Sequence, residues 1–178
     1  MARPTTTQAS PAQHGSPGVA ALAGKYMTFQ LAAEAYGLEI LKVREIIGLM
    51  DITRVPRTPE FLRGVINLRG RVIPVVDLRL KFGMPRTEAT EQTVIIVVQY
   101  GDGERPFTMG ILVDQVLEVL SIDGSQIEPP PSFGAEALDT DFILGVGKAQ
   151  DRVIFLLDIG RVLSESEARQ VATAAVAA

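Results

Sequence analysis

Asp77 and Asp158 occupy the same place in two matching segments, and they are the first residues to weigh for chemistry. A pair of carboxylates can divide the work of acid and base, as in glycoside hydrolysis. Each of these, however, follows an apolar β-type run and opens a stretch of helical character. There an aspartate accepts backbone N–H bonds as a helix cap. Capping is the role assigned to both. Other catalytic systems lack their members. The chain has no cysteine, and its one histidine, His14, lies in a polar N-terminal stretch. Cys–His and Ser–His–Asp nucleophiles, and zinc sites of His and Cys, have no residues to draw on. No phosphate-cradling G-x-x-x-x-G-K-S/T or G-x-G-x-x-G loop is present. No enzyme and no cofactor is expected.

The basic residues are the next candidates. Residues 54–86 hold eight of the 17 Lys/Arg, with Glu60 and Asp77 as the only acids, a net +6 against −10 elsewhere. Nucleic-acid binding would want aromatic groups interleaved with these charges to stack on bases. Only Phe61 and Phe82 are aromatic there, and both sit at matched repeat positions, the mark of core packing. A solvated or partner-facing basic surface is the better reading, with no nucleic acid as partner.

The elements that must position these groups come from a duplication. FLRGVINLRGRVIPVVDLRLKF, residues 61–82, matches FILGVGKAQDRVIFLLDIGRVL, residues 142–163, at a constant offset of 81. YGLEILKVREII, residues 36–47, matches MGILVDQVLEVL, residues 109–120, at an offset of 73, pairing Gly37 with Gly110. The growth in offset places an insertion of about eight residues within 123–141, around Pro129-Pro130-Pro131. Two collinear matches in one order are not a coincidence of composition.

Residues 1–24 are rich in Pro, Thr, Ser and Gln, and too poor in apolar groups to offset backbone ordering, so they are read as a disordered tail. Order is expected from Tyr26, with a hairpin of 26–31 and 36–40. A turn follows, passing into a strand near Ile46, and Thr58 and Glu60 mark a short helical turn. Strands follow at 64–68 and 72–76, with a short helix opening at Asp77. The apolar run 93–100 reads as a strand covered on both sides, followed by strands at 106–113 and 116–122. The Ala-rich tail 165–178 has helical propensity but no strong apolar stripe, and is expected to fray. Each half thus holds about five short strands. Sets that small remove their edges by curling into barrels. The expected fold is all-β, with two pseudo-symmetric five-stranded barrels side by side and an apolar seam between them. Residues 25–164 form the domain as two intertwined subdomains.

One turn breaks the symmetry. Asn67-Leu68-Arg69-Gly70 corresponds to Lys148-Ala149-Gln150-Asp151. Gly70 supplies the positive φ of an ordinary turn. Scaffold needs are shared by both copies, so an arginine in one copy only is a candidate for function. Its guanidinium suits a partner carboxylate.

These residues carry a family resemblance. YGLEILKVREI, the Thr-Arg-Val-Pro segment with Thr58-Pro59 and Phe61, and above all GVINLRGRVIPVVDLRLKFG resemble the CheW family of chemotaxis coupling proteins. The resemblance spans residues 26–163 and implies two packed five-stranded barrels and a scaffold without catalysis. It implies binding to the cytoplasmic tip of a chemoreceptor and to the regulatory domain of a chemotaxis histidine kinase. It further implies that Val43, Glu45, Gly64, Arg69, Val94, Ile95 and Val119 serve these contacts, with the receptor tip in the groove between the barrels. Gly37, Gly110, Gly70, Asp77 and Asp158 are assigned to the scaffold. No signal-peptide pattern or apolar run of membrane-spanning length is evident, so a cytoplasmic protein without direct membrane insertion is expected. The alternative is a barrel module that binds a small ligand or nucleic acid.

Overall fold

The computed structural model describes residues 19–101, 106–130 and 142–177. The first half of the duplication forms β1 (Gly24–Leu31), β2 (Glu34–Glu39), β3 (Val43–Gly48), β4 (Leu62–Leu68), β5 (Arg71–Asp77) and the short helix α1 (Leu78–Lys81). The second forms β6 (Val94–Tyr100), β7 (Phe107–Val113), β8 (Gln115–Ile122), β9 (Ile127–Glu128), β10 (Ile143–Ala149) and β11 (Arg152–Leu157), before a closing helix α2 (Glu165–Ala177). The fold is all-β with few helices, in two sheets ordered β8-β1-β2-β11-β10-β9 and β3-β6-β7-β5-β4.

Neither sheet is one half of the chain. Each takes the first two strands of one half and the last three of the other, in the same spatial order, with the two-residue β9 added at one edge. The register shows the symmetry directly. Leu156 lies opposite Gly37 where β11 pairs parallel with β2, and Val75 lies opposite Gly110 where β5 pairs parallel with β7. Leu156 and Val75 are themselves repeat equivalents. The exchange has a local cause. β7 and β8 are separated by Asp114 alone, and β2 and β3 by the single turn Ile40–Lys42. A two-residue loop is the usual minimum for a hairpin, so the one-residue β7–β8 link cannot fold the strand back and carries β8 into the other sheet.

Three apolar cores result among the described residues. The largest joins the sheets, with Phe29 and Leu38 from one meeting Val76, Ile111 and Val98 from the other. This is the expected seam. Each sheet also keeps a private core, Tyr26, Ile122, Ile154 and Leu156 in one and Ile66, Ile73, Val75 and Ile95 in the other. Phe61 and Phe82 pack against the seam, where Phe82 stacks on Phe142 at 4.9 Å. Both aromatics are thus committed to packing.

Several sequence expectations need correction. Residues 1–18 of the N-terminal tail lie outside the described residues, but the rest of 1–24 is structured. Val19–Leu22 forms a helical turn whose Leu22 carbonyl accepts from Tyr26 Oη at 2.5 Å, and β1 begins at Gly24. Strand β3 starts at Val43, three residues earlier than expected. Thr58 opens no helix; its hydroxyl donates back to the Val55 carbonyl at 2.8 Å. The tail 165–178 does not fray over Glu165–Ala177. Ser164 and Glu167 form a reciprocal cap, with Ser164 N donating to Glu167 Oε1 and Glu167 N to Ser164 Oγ. Val171 and Ala174 are buried in the seam core. The stripe was overlooked because alanine supplies part of it: Ala168, Val171 and Ala174 follow helical spacing, and small side chains suffice against an already apolar floor.

Candidate partner-binding site

The asymmetric turn is built by the hairpin of β4 and β5. Leu68 and Arg71 are the last paired residues, leaving a two-residue loop of Arg69 and Gly70 with φ of 53° and 83°. Two positive φ values make this a type I′ turn, whose twist matches the strands it joins. Asn67 Oδ1 accepts from Gly70 N at 2.9 Å and fixes it. The equivalent turn has the same form without a glycine, with Gln150 at 52° and Asp151 at 60°. The two turns therefore share their backbone and differ in the side chain presented.

That side chain has a partner. Arg69 forks onto Glu45 of β3, Nη1 to Oε1 at 2.9 Å and Nη2 to Oε2 at 3.0 Å. The hydrogen bonds and charge of Glu45 push the guanidinium pKa further up, so it stays ionised. The pair is open to solvent, with the Arg69 side chain 72% exposed and that of Glu45 31%. It forms one side of a concavity of about 550 Å³ lined also by Arg44, Arg71, Gln99 and Phe107. Arg44 donates to Gln99 Oε1, while Arg71 has no ion pair among the described residues. The rim is a charged, hydrogen-bonding surface around a small aromatic and aliphatic floor.

The other candidate residues divide by depth. Val119 is half exposed on β8, in the other sheet. Val43 and Val94 are partly buried against the seam core. Ile95 is fully buried in a private core, so it touches no partner directly and any influence passes through packing. Gly64 is buried as well. Its φ is 142°, and a Cβ there would meet the Thr53 carbonyl oxygen at 2.1 Å. It sits at a bulge where the β4–β5 register shifts, and only glycine allows this approach. Glu45 and Arg69 are thus brought together, Val119 lies apart on the other sheet, and Gly64 and Ile95 belong to the frame.

The scaffold residues are equally specific. The Asp77 carboxylate accepts from Arg79 N at 3.0 Å and Leu80 N at 3.3 Å, and pairs with Arg63 Nη1 at 3.1 Å. Asp158 accepts from Gly160 N at 3.0 Å. Both open helical turns. A Cβ at Gly37 would press on Leu156, and one at Gly110 would lie 2.6 Å from Ile95 Cγ2, so both glycines admit the neighbouring strand's side chains.

Sequence reasoning did not single out the exposed apolar residues Leu41, Ile46, Leu49, Val72 and Val153. Ile46 is the repeat equivalent of Val119 and is 42% exposed, so the offset of 73 could have found it. Leu41, in the crossover turn between β2 and β3, is 91% exposed. Its equivalent is Asp114, which binds Arg79 at 2.6 Å, so the repeat gave no hint of an apolar group there. Among the described residues no helix is long and apolar enough to cross a membrane.

Comparison with known proteins gives this geometry its context. The CheW-like domain family matches residues 25–167. Chemotaxis protein CheW of Klebsiella aerogenes is 42% identical over 143 residues, covering 80% of this chain and 83% of that protein. Chemotaxis protein CheW of Bacillus subtilis is 34% identical over 146 residues, covering 82% and 90%. The crystal structure of the scaffolding protein TtCheW from Thermoanaerobacter tengcongensis superposes with a TM-score of 0.71 at 37% identity, covering 82% of this chain and 95% of that one. This chain belongs to the CheW-like domain family.

Proposed function

We propose that this protein is a non-catalytic cytoplasmic adaptor that couples chemoreceptors to a chemotaxis histidine kinase. The observation that carries the reading is the Arg69 turn. Two turns share one backbone form, and only one of them presents an exposed arginine held by Glu45 at a rim. A merely structural turn needs no such arginine, as Gln150 shows. The names of the relatives and the scaffold likeness support a chemotactic role.

In this reading the receptor's helical tip lays apolar side chains along the seam between the barrels, where Val43 and Val94 lie at partial depth, while Val119 offers an apolar contact on β8. An amphipathic helix in a groove gains affinity from such anchors and register from a charged rim. Glu45 and Arg69 form that charged rim, and the kinase's regulatory domain is expected at a barrel-end surface. Gly64 and Ile95 act by keeping the strand frame in shape. Which of the exposed residues meets which partner is decided by separate pull-downs with a receptor cytoplasmic fragment and with the kinase. Loss of at least one of the two interactions on Arg69→Glu, with the fold intact, is the expected result. A mobility shift of DNA or RNA at physiological salt, with no receptor or kinase bound, would favour a nucleic-acid-binding barrel instead.

A further inference from the structure

A groove of about 330 Å³ runs between the loop after β3 and α2. Val55, Pro56, Pro59 and Ala174 give it a largely apolar lining, and the exposed Arg57 and Arg169 complete it. Its loop wall lies within the family match and its α2 wall beyond residue 167, where that match ends.

The loop wall is stiff. Pro56 and Pro59 fix two φ angles, Thr58 Oγ1 donates to the Val55 carbonyl at 2.8 Å, and Leu62 N donates to the Pro59 carbonyl at 3.1 Å. Between them Arg57 is held at φ 61°, an unusual backbone for a non-glycine residue. Within the basic stretch 54–86, Arg63, Arg69, Arg79 and Lys81 each pair with a carboxylate. Arg57, like Arg54, Arg71 and Arg86 of the same basic stretch, has no ion pair among the described residues. Arg169 is paired only with Glu165 one turn away, with side chains 75% and 84% exposed, an arrangement that solvent screens. The groove therefore couples an apolar lining with two available guanidinium groups.

We propose that this groove docks an acidic peptide segment carrying an apolar anchor, on a surface separate from the Glu45–Arg69 rim. The volume is at the small end of the roughly 300–1,000 Å³ range of ligand pockets, which suits one or two inserted side chains. Flanking carboxylates fork onto Arg57 and Arg169.

The test is a titration of the isotopically labelled full chain, followed by amide resonances, with the blocked peptide Asp-Glu-Leu-Leu-Asp-Glu. Two controls accompany it, Lys-Lys-Leu-Leu-Lys-Lys and Asp-Glu-Gly-Gly-Asp-Glu. The expected result is saturable shifts at Arg57, Thr58 and Gln170–Ala174 for the first peptide alone. Arg57→Glu should weaken that binding by roughly tenfold or more. Arg57→Asn, which tolerates the positive φ, should weaken it less and guards against a folding artefact. Shifts that are absent, equal for either control, or unaltered in both Arg57 variants would overturn the proposal.

Discussion

Arg69 at the tip of the β4–β5 hairpin grips both carboxylate oxygens of Glu45 on β3, and these residues belong to the two end strands of one sheet. The ion pair therefore spans the rim where that sheet closes. The other barrel carries Gln150 and Glu118 at the same positions and has no such pair among the described residues. Because Arg69 is exposed and its Coulombic gain is screened, the pair is a weak source of stability and a good recognition element. Arg69→Glu should leave the thermal melt close to wild type.

Gly64→Ala should behave in the opposite way. The added Cβ runs into the Thr53 carbonyl, a backbone atom that cannot swing aside, at a φ no alanine favours. Strain of this kind costs about 1–3 kcal/mol. Urea unfolding should show that loss. Any weakening of partner binding in this variant should scale with the unfolded fraction.

The reading of Asp77 as a cap is also open to test. Asp77→Ala removes the oxygen that accepts from the backbone amides of Arg79 and Leu80, together with the charge facing Arg63. A destabilisation of about 1 kcal/mol is expected, the usual scale of a cap. Chemical unfolding measures it, and a variant as stable as wild type would remove the capping role.

Glu167 gives the attachment of α2 a pH signature. Burial pushes its carboxyl up, but hydrogen bonds from Lys81 and Ser164 outweigh this and hold it below the ordinary 4.5. A depressed carboxylate adds stability that is complete above the unfolded value and fades as pH falls through the folded one. Acidification below the ordinary 4.5 should therefore loosen α2. Glu167→Gln should lower stability near neutrality and flatten this acid limb. Urea midpoints taken from about pH 7 down to about pH 3 would show it.

Much of the frame was legible because the duplication repeats it. The β4–β5 and β10–β11 hairpins, both aspartate caps and the buried run of β6 follow from periodicity and turn residues. The exchange of strands between barrels was not readable strand by strand, since no apolar pattern marks which sheet a strand joins after the β2–β3 and β7–β8 links. Helix α2 escaped because its stripe is partly alanine, which looks the same on a packed face as on a solvated one. Within the site, the turn asymmetry identified Arg69, but its bond to Glu45 joins residues 24 positions apart through barrel closure. Gly64 and Ile95 show the limit of residue type alone, for only their burial separates frame from surface.

The most direct measurement of the adaptor account is co-sedimentation of the Arg69→Glu variant with assembled receptor–kinase arrays. The account predicts loss of the variant from the arrays while its thermal melt stays near wild type. Arrays that assemble normally around Arg69→Glu would contradict it.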